Sequence, residues 1–168
     1  RVLADNVARR DAPAWARVRR AGAVLMGKAN THEFAYGGTT EPTRNPWSLD
    51  RMVGGSSGGP AAALAAGLCT AAIGSDTAGS IRIPANLCGV CGFKPTNRAV
   101  STAGVVPLAP SLDVVGPLAH TVEDAAILFA ALAGRPQRDV DDAAAGVRDD
   151  LAGRRLRIGV IHDLGPSS

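Results

Sequence analysis

The chain has 168 residues, of which 46% are hydrophobic and 20% charged, and this balance excludes an intrinsically disordered protein. The formal net charge is only +3 and the arginines are scattered, which argues against a basic nucleic-acid-binding stripe. No apolar run reaches the roughly 18 residues that a membrane span needs, and three cysteines, which cannot all pair, predict a reducing, cytoplasmic location.

The first predicted element is a helix. Asp11 is its candidate N-cap, Pro13 suits the first turn, and Gly22 is a stop signal. Residues 23–26 (Ala-Val-Leu-Met) predict a short buried strand. Glycine, proline and polar residues dominate residues 27–59, which predicts an extended, loop-rich region.

A second helix and a strand are predicted in the middle of the chain. Pro60 suits the first turn of a helix of small residues over 61–66, which Gly67 would end. Residues 69–73 are a strand candidate. Ser80 would then lie in the loop after this strand, where a rigid scaffold often presents functional groups.

The clearest helix begins after Thr121 as N-cap and continues to Ala133, with acidic residues in its first turn. Residues 137–154 are charged and rich in alanine, which predicts a linker or an exposed helix, and residues 156–161 predict a strand. The alternation of strands and helices indicates an α/β fold with a mixed or parallel sheet.

Two serines flanked by glycines stand 24 positions apart, Ser56 within residues 54–59 and Ser80 within residues 74–82. A serine hydroxyl needs a positioned base before it can act as a nucleophile, and an acyl-transfer site also needs N–H groups around the developing oxyanion. Small residues before Ser80 would let several N–H groups converge on one point. The alternative is a tight glycine-rich turn with no chemistry.

Other motifs compete with this interpretation. Residues 54–58 fit the Gly-x-Ser-x-Gly pattern, and the order Ser56, Asp113, His162 fits the Ser–Asp–His order of α/β-hydrolases, but residues 49–53 are a poor buried strand for a nucleophile elbow. The Cys-x-x-Cys spacing of residues 88–91 lacks a second ligand pair. Packing is therefore a better interpretation of these cysteines than a zinc site.

Seven stretches of the chain resemble the amidase signature family, serine hydrolases that use a Ser–Ser–Lys triad. In order, they are residues 27–35, 43–47, 54–59, 74–82, 88–96, 111–113 and 116–124. The resemblance implies part of the amidase signature fold, an incomplete mixed β-sheet flanked by helices. Residues 1–168 would then be a partial amidase domain.

The resemblance also implies roles for individual residues. Ser80 would be the acylated nucleophile, Ser56 the bridging serine that follows a cis peptide bond, and Ser57 a neighbour that helps to fix the site. Backbone N–H groups would form the oxyanion hole, and a charge pair would brace the nucleophile turn. The hole comprises Thr77, Ala78, Gly79 and Ser80, and the pair is Asp76 with Arg82. No cofactor and no metal are implied.

The lysine of the triad is expected several dozen residues before Ser56, a position that falls upstream of Arg1. Lys28 and Lys94 lie in other motifs of the family, and neither suggests a replacement base. Because the members of a triad act as a unit, we expect this chain alone to hydrolyse amides weakly or not at all.

We therefore interpret the chain as an amidase that hydrolyses a carboxamide C–N bond other than a peptide bond. One alternative is the glutaminase (A) subunit of a tRNA-dependent amidotransferase, and another is a catalytically silent fragment. Residues 31–37 are more similar to free-standing amidases, which favours the main interpretation. The expected partner is a small-molecule amide, with no nucleic acid, no membrane and a possible homodimer.

Overall fold

A computed structural model describes residues 5–136, 138–139 and 142. The helices are α1 (Pro13–Arg20), α2 (Gly58–Ala65), α3 (Arg82–Cys88) and α4 (Val122–Ala133), and a 3-10 turn spans Glu33–Ala35. The strands are β1 (Arg44–Asn45), β2 (Ser48–Met52), β3 (Ala71–Asp76), β4 (Cys91–Gly92) and β5 (Val114–Ala119). The predicted α/β class is confirmed, although the strands that the structure describes pair only antiparallel and show no parallel pairing.

The strands form two small sheets. β1 and β2 make an antiparallel hairpin, and β5 lies at the centre of a three-stranded sheet in the order β3-β5-β4, with both of its pairings antiparallel. In this sheet Ala71 pairs with Ala119 and Asp76 with Val114. All six residues of β5 are buried, because helices cover both faces of the sheet.

Alternating side chains of β5 point to two separate apolar clusters, as the two-residue repeat of a strand requires. Leu118 packs in a cluster with Leu64 of α2 and Ile81 at the start of α3. Val115 packs on the other side with Val18 of α1 and Leu132 of α4. The described residues therefore form helix, sheet and helix layers, and the α2–α3 layer carries both serine motifs.

The start of α1 differs from the prediction. Its N-cap is Ala12, which is extended (φ −64°, ψ 142°), so Asp11 is wrong as the cap. The residue before a proline is driven to extended backbone, which fixes the boundary at Pro13 and leaves Asp11 one residue too far upstream. The Asp11 carboxylate instead lies 2.8 Å from Arg19 Nη2.

The strand predicted for residues 23–26 is wrong. The segment has no strand partner in the described part of the chain, and Val24 and Met26 are 80% and 76% exposed. An apolar run becomes a strand only when another strand takes its backbone hydrogen bonds.

The remaining predicted elements are found with shifted ends. The helix expected over 61–66 is α2, and the strand expected over 69–73 is β3, which begins two residues later. The helix after Thr121 is confirmed: the Asp124 N–H donates to Thr121 Oγ1 at 3.0 Å, and Gly134 ends the helix with φ 73°. Glycine adopts this left-handed conformation without a Cβ clash.

Two predictions fall largely or wholly outside the described residues. They are the linker or helix over 137–154, apart from residues 138–139 and 142, and the strand over 156–161. Within the described part, every helix is too short or too polar to cross a membrane.

Candidate active site

The Ser56 turn connects β2 to α2 and is buried. The Gly55–Ser56 peptide bond is cis, and Ser56 is 1% exposed. The Ser56 carbonyl accepts a hydrogen bond from the His32 N–H at 3.0 Å. The buried hydroxyl of Thr40 lies 3.0 Å from Gly54 O and 3.2 Å from Ser56 O, and it accepts the Gly58 N–H at 3.2 Å. Thr40 thus holds both ends of the turn.

Ser57 joins this turn to the turn that carries Ser80. Its N–H donates to Ser80 O at 3.0 Å. Its hydroxyl lies 3.2 Å from both Ser75 O, to which it donates, and Ser75 N, from which it accepts. Two serine motifs that are far apart in the sequence are therefore brought together by one residue.

The turn from Asp76 to Ser80 links the buried strand β3 to α3. Gly79 has φ 128°, a conformation that residues with a Cβ rarely adopt, and Ser80 itself is half-buried. The turn is wound around the Asp76 carboxylate, which accepts the N–H groups of Gly79 at 2.7 Å and of Ile81 at 3.2 Å.

Asp76 and Arg82 form the expected charge pair. Arg82 Nε lies 3.0 Å from Asp76 Oδ2, and Nη2 lies 3.0 Å from Oδ1, so the contact is bidentate. Burial acts to raise the pKa of Asp76, but hydrogen bonds from Arg82, Ile81 and Gly79 and the guanidinium charge outweigh it, so the pKa lies below its ordinary value. The Asp76 carboxylate is ionised and completely buried.

The predicted oxyanion hole is partly engaged by other contacts. The Gly79 N–H points to Asp76 Oδ1, whereas the N–H groups of Ala78 and Ser80 have no acceptor among the described residues. Ala78 is exposed and Ser80 half-buried. Among the described residues, these two N–H groups are therefore left to donate elsewhere, and N–H donors of this kind are what stabilisation of a tetrahedral intermediate needs.

The other candidate groups do not gather around the serines. Lys94 Nζ donates to Pro95 O at 3.3 Å, and Lys28 is exposed. Cys88 and Cys91 are free thiols, and no group of metal-binding side chains occurs in the described part of the chain. His162 lies outside it, so the Ser56–Asp113–His162 alternative is not tested.

Sequence reasoning missed two contributors to the site. Thr40 gives no motif signal of its own, and its role follows from close packing: a Cβ on Gly58 would lie 2.5 Å from Thr40 Oγ1. Asp113 is predicted only as a member of a competing triad and as part of the family stretch 111–113, with no role at the Ser80 turn, yet its carboxylate accepts the Thr77 hydroxyl at 2.6 Å.

Comparison with known proteins places the chain among amidases. A family model described as Amidase matches residues 1–168. The chain is 51% identical to the A subunit of glutamyl-tRNA(Gln) amidotransferase from Nitratidesulfovibrio vulgaris, over 95% of the chain and 35% of the relative. It is 49% identical to the same subunit from Syntrophobacter fumaroxidans, over 94% of the chain and 35% of the relative. The chain therefore spans about a third of the length of these curated relatives.

Solved structures agree. The crystal structure of the A subunit of glutamyl-tRNA(Gln) amidotransferase from Thermotoga maritima matches with a TM-score of 0.78 and 52% identity, over 82% of this chain and 31% of that one. The peptide amidase from Stenotrophomonas maltophilia matches with a TM-score of 0.71 and 42% identity, over 86% and 31%. These identities extend the likeness from fold to family.

The expected partners need correction. We expected a small-molecule amide as partner, with no nucleic acid, no membrane and a possible homodimer. The exclusion of nucleic acid is wrong, because the curated relatives are named as subunits of a glutamyl-tRNA(Gln) amidotransferase. The charge argument failed for a physical reason. It tests whether this chain carries a phosphate-binding stripe, and it contains no information on the surfaces of other subunits.

Proposed function

This chain belongs to the amidase family, and we propose that it is part of the glutaminase (A) subunit of a tRNA-dependent amidotransferase. The observation that carries the proposal is the identity of about one half to such subunits over nearly the whole chain. Peptide amidase is less similar, at 42%. The alternative interpretation of the sequence is therefore better supported than the free-standing amidase that we favoured from residues 31–37.

In the proposed reaction Ser80 attacks the side-chain carboxamide of glutamine. The Ser80 Oγ–carbon bond forms, the carbon–nitrogen bond breaks, and ammonia leaves with the proton that Ser80 gave up. Ser56 relays that proton. By resemblance to the family, a neutral lysine is the final acceptor of the relay. Water then cleaves the Ser80 ester and releases glutamate. A relay of this kind contributes about 10²–10⁴-fold to the rate.

The arrangement of the two turns supports these roles. Ser57 fixes the Ser80 turn against the Ser56 turn through its N–H bond to Ser80 O. The bidentate Asp76–Arg82 pair braces the nucleophile turn from the inside. The N–H groups of Ala78 and Ser80 are proposed as oxyanion donors, and those of Thr77 and Gly79 stay predictions. The Gly79 N–H already donates to Asp76.

The test is glutamine-dependent release of ammonia by the purified protein that carries this chain, together with any subunits that co-purify with it. We expect glutamate and ammonia in equal amounts, with amide transfer when glutamyl-tRNA(Gln) is supplied together with a nucleoside triphosphate that activates its side-chain carboxylate. Ser80→Ala should lower the rate by at least about 10³-fold, because loss of a nucleophile removes the covalent route. Turnover of peptide amides without any turnover of glutamine would refute the proposal.

A second candidate function is an amidase that acts without tRNA. It is favoured by the fold similarity to peptide amidase, with a TM-score of 0.71. The same assay separates the two functions, since a free-standing amidase should turn over carboxamides at a rate that neither a partner subunit nor glutamyl-tRNA(Gln) changes.

We also propose that residues 1–168 are part of one amidase domain. The family model matches this range as a whole, which supports the proposal. A cytoplasmic location stays a prediction based on the three thiols, each of which is free.

A further inference from the structure

The side chain of Asp113 ties together two turns at one end of the central sheet. Its Oδ1 accepts the Thr77 hydroxyl at 2.6 Å, and its Oδ2 accepts the Leu108 N–H at 2.9 Å. The Ala109 N–H lies 3.1 Å from Oδ1 and 3.0 Å from Oδ2. The nucleophile turn and the 108–112 turn are thus held by the same carboxylate.

The position of this tie follows from the sheet register. β3 ends at Asp76 opposite Val114, so Thr77 and Asp113 are the next residues of the two strands. Here the ladder of backbone hydrogen bonds ends and the turn toward Ser80 begins. A side-chain bond at this point continues the cross-strand contact where the backbone no longer provides it.

The ionisation of Asp113 determines which group donates the hydrogen bond between Thr77 and Asp113. Burial acts to raise the pKa of Asp113, but hydrogen bonds from Thr77, Ala109 and Leu108 outweigh it and keep the pKa below its ordinary value. An ionised carboxylate can only accept hydrogen bonds. The Thr77 hydroxyl must therefore donate to Asp113, which sets the Thr77 rotamer and the start of the turn.

We propose that Asp113 is a positioning residue for the acyl-transfer reaction: through Thr77 it fixes the turn that carries Ser80 and the Ala78 N–H. The inference rests on the proposed acyl-enzyme chemistry. Oxyanion donors act through their placement, and a small displacement of a catalytic loop costs up to about 100-fold in rate. Loss of the tie should therefore lower kcat and leave KM for glutamine nearly unchanged.

A matched set of variants tests the tie in the whole protein. Thr77→Val keeps the shape of the side chain and removes the donor, Thr77→Ser keeps the donor, and Asp113→Asn replaces an acceptor oxygen by a donor. We expect Thr77→Val and Asp113→Asn to slow labelling of Ser80 by a fluorophosphonate about 10- to 100-fold, with Thr77→Ser within about threefold of wild type. The double variant should be no slower than Asp113→Asn alone, since both changes remove one contact.

Amide hydrogen exchange provides a readout that does not depend on activity. In Asp113→Asn, peptides from residues 74–82 should exchange about tenfold faster or more, and those from the hairpin at residues 44–52 should not change. Unchanged exchange over 74–82, or equal slowing of labelling by Thr77→Ser and Thr77→Val, would overturn the inference. A wild-type protein that takes the label but does not turn over glutamine would refute the proposed function alone.

Discussion

At the scale of single residues, the candidate site is organised around one ionised group inside the protein. The Asp76 side chain is completely buried, and hydrogen-bond donors from Gly79, Ile81 and Arg82 take the place of water around its carboxylate. Each donor belongs to the turn that carries Ser80 or to the first turn after it. The carboxylate is therefore the common acceptor around which the Ser80 turn is built.

Arg82→Gln should destabilise the protein by about 1.5–3 kcal/mol, the range for a hydrogen bond to a charged group. We place it near the lower end, because the Arg82 side chain is 53% exposed and solvent screens its charge. The folded-state pKa of Asp76 is lowered, so its contribution is complete above about pH 4 and is lost as the pH falls through the folded-state pKa. Urea unfolding at several pH values measures both effects.

The matched control is Arg44→Gln. Arg44 pairs with Glu41 at 3.4 Å, but both side chains are exposed, and such pairs contribute at most about 1 kcal/mol. Equal destabilisation by the two substitutions would contradict this prediction. So would a gap between Arg82→Gln and wild type that does not shrink as the pH is lowered from about 4 through the folded-state pKa of Asp76.

A second residue-scale prediction concerns Gly74 in β3. A Cβ there would lie 2.7 Å from Ser57 Oγ and 2.9 Å from Leu118 Cδ1, so Gly74→Ala must displace Ser57. We expect a loss of about 1–3 kcal/mol in the free energy of unfolding and slower labelling of Ser80. Gly27→Ala is the control, since nothing lies within 4 Å of its added Cβ. Unaltered labelling of Ser80 in Gly74→Ala would show that Ser57 does not help to position Ser80.

The sequence identified the residue types at the site but not all of their contacts. Ser56, Ser57 and Ser80 are marked by glycines, and Asp76 and Arg82 lie within the same motif as Ser80. Thr40 could not be predicted, because its hydroxyl reaches Gly54 and Gly58 only once two loops have packed. The same holds for the Thr77–Asp113 bond, which joins residues 36 positions apart.

At the scale of elements, α4 shows how local signals can define a helix. Thr121 accepts the Asp124 N–H, Glu123 and Asp124 lie in the first turn, and Gly134 ends the helix. Thr121→Ala should therefore cost about 1 kcal/mol in the free energy of unfolding. Thr121→Ser keeps the acceptor and should cost much less. Similar losses for both variants in urea titrations would argue that packing, and not capping, sets the contribution of Thr121.

Elements without such signals were missed or misplaced. β5 is completely buried yet contains Gly116 and Pro117, which disguise a strand, and α3 contains Pro84 within only seven residues. The β1–β2 hairpin is mostly exposed and polar. Each of these elements is fixed by tertiary contacts that local patterns do not contain. Residues 23–26 show the reverse error, an apolar pattern without a partner strand among the described residues.

At the scale of the whole molecule, the two apolar clusters lie on opposite faces of the central sheet, and only one of them contacts the layer that carries the serine turns. The cluster of Val18, Val115 and Leu132 joins α1 and α4 to one face of the sheet. The cluster of Leu64, Ile81 and Leu118 lies on the other face, directly beneath the serine turns. The site is thus supported by a packed layer, as precise placement of catalytic groups requires.

The measurement that tests the central claim most directly is mass analysis of the fluorophosphonate-treated protein, followed by peptide mapping. We predict one adduct per chain, located on Ser80 and absent from Ser80→Ala, because Ser80 alone is proposed to be the activated nucleophile. An adduct on Ser56 or Ser57, or an adduct that persists in Ser80→Ala, would contradict the account. So would the absence of any adduct on a protein that releases ammonia from glutamine.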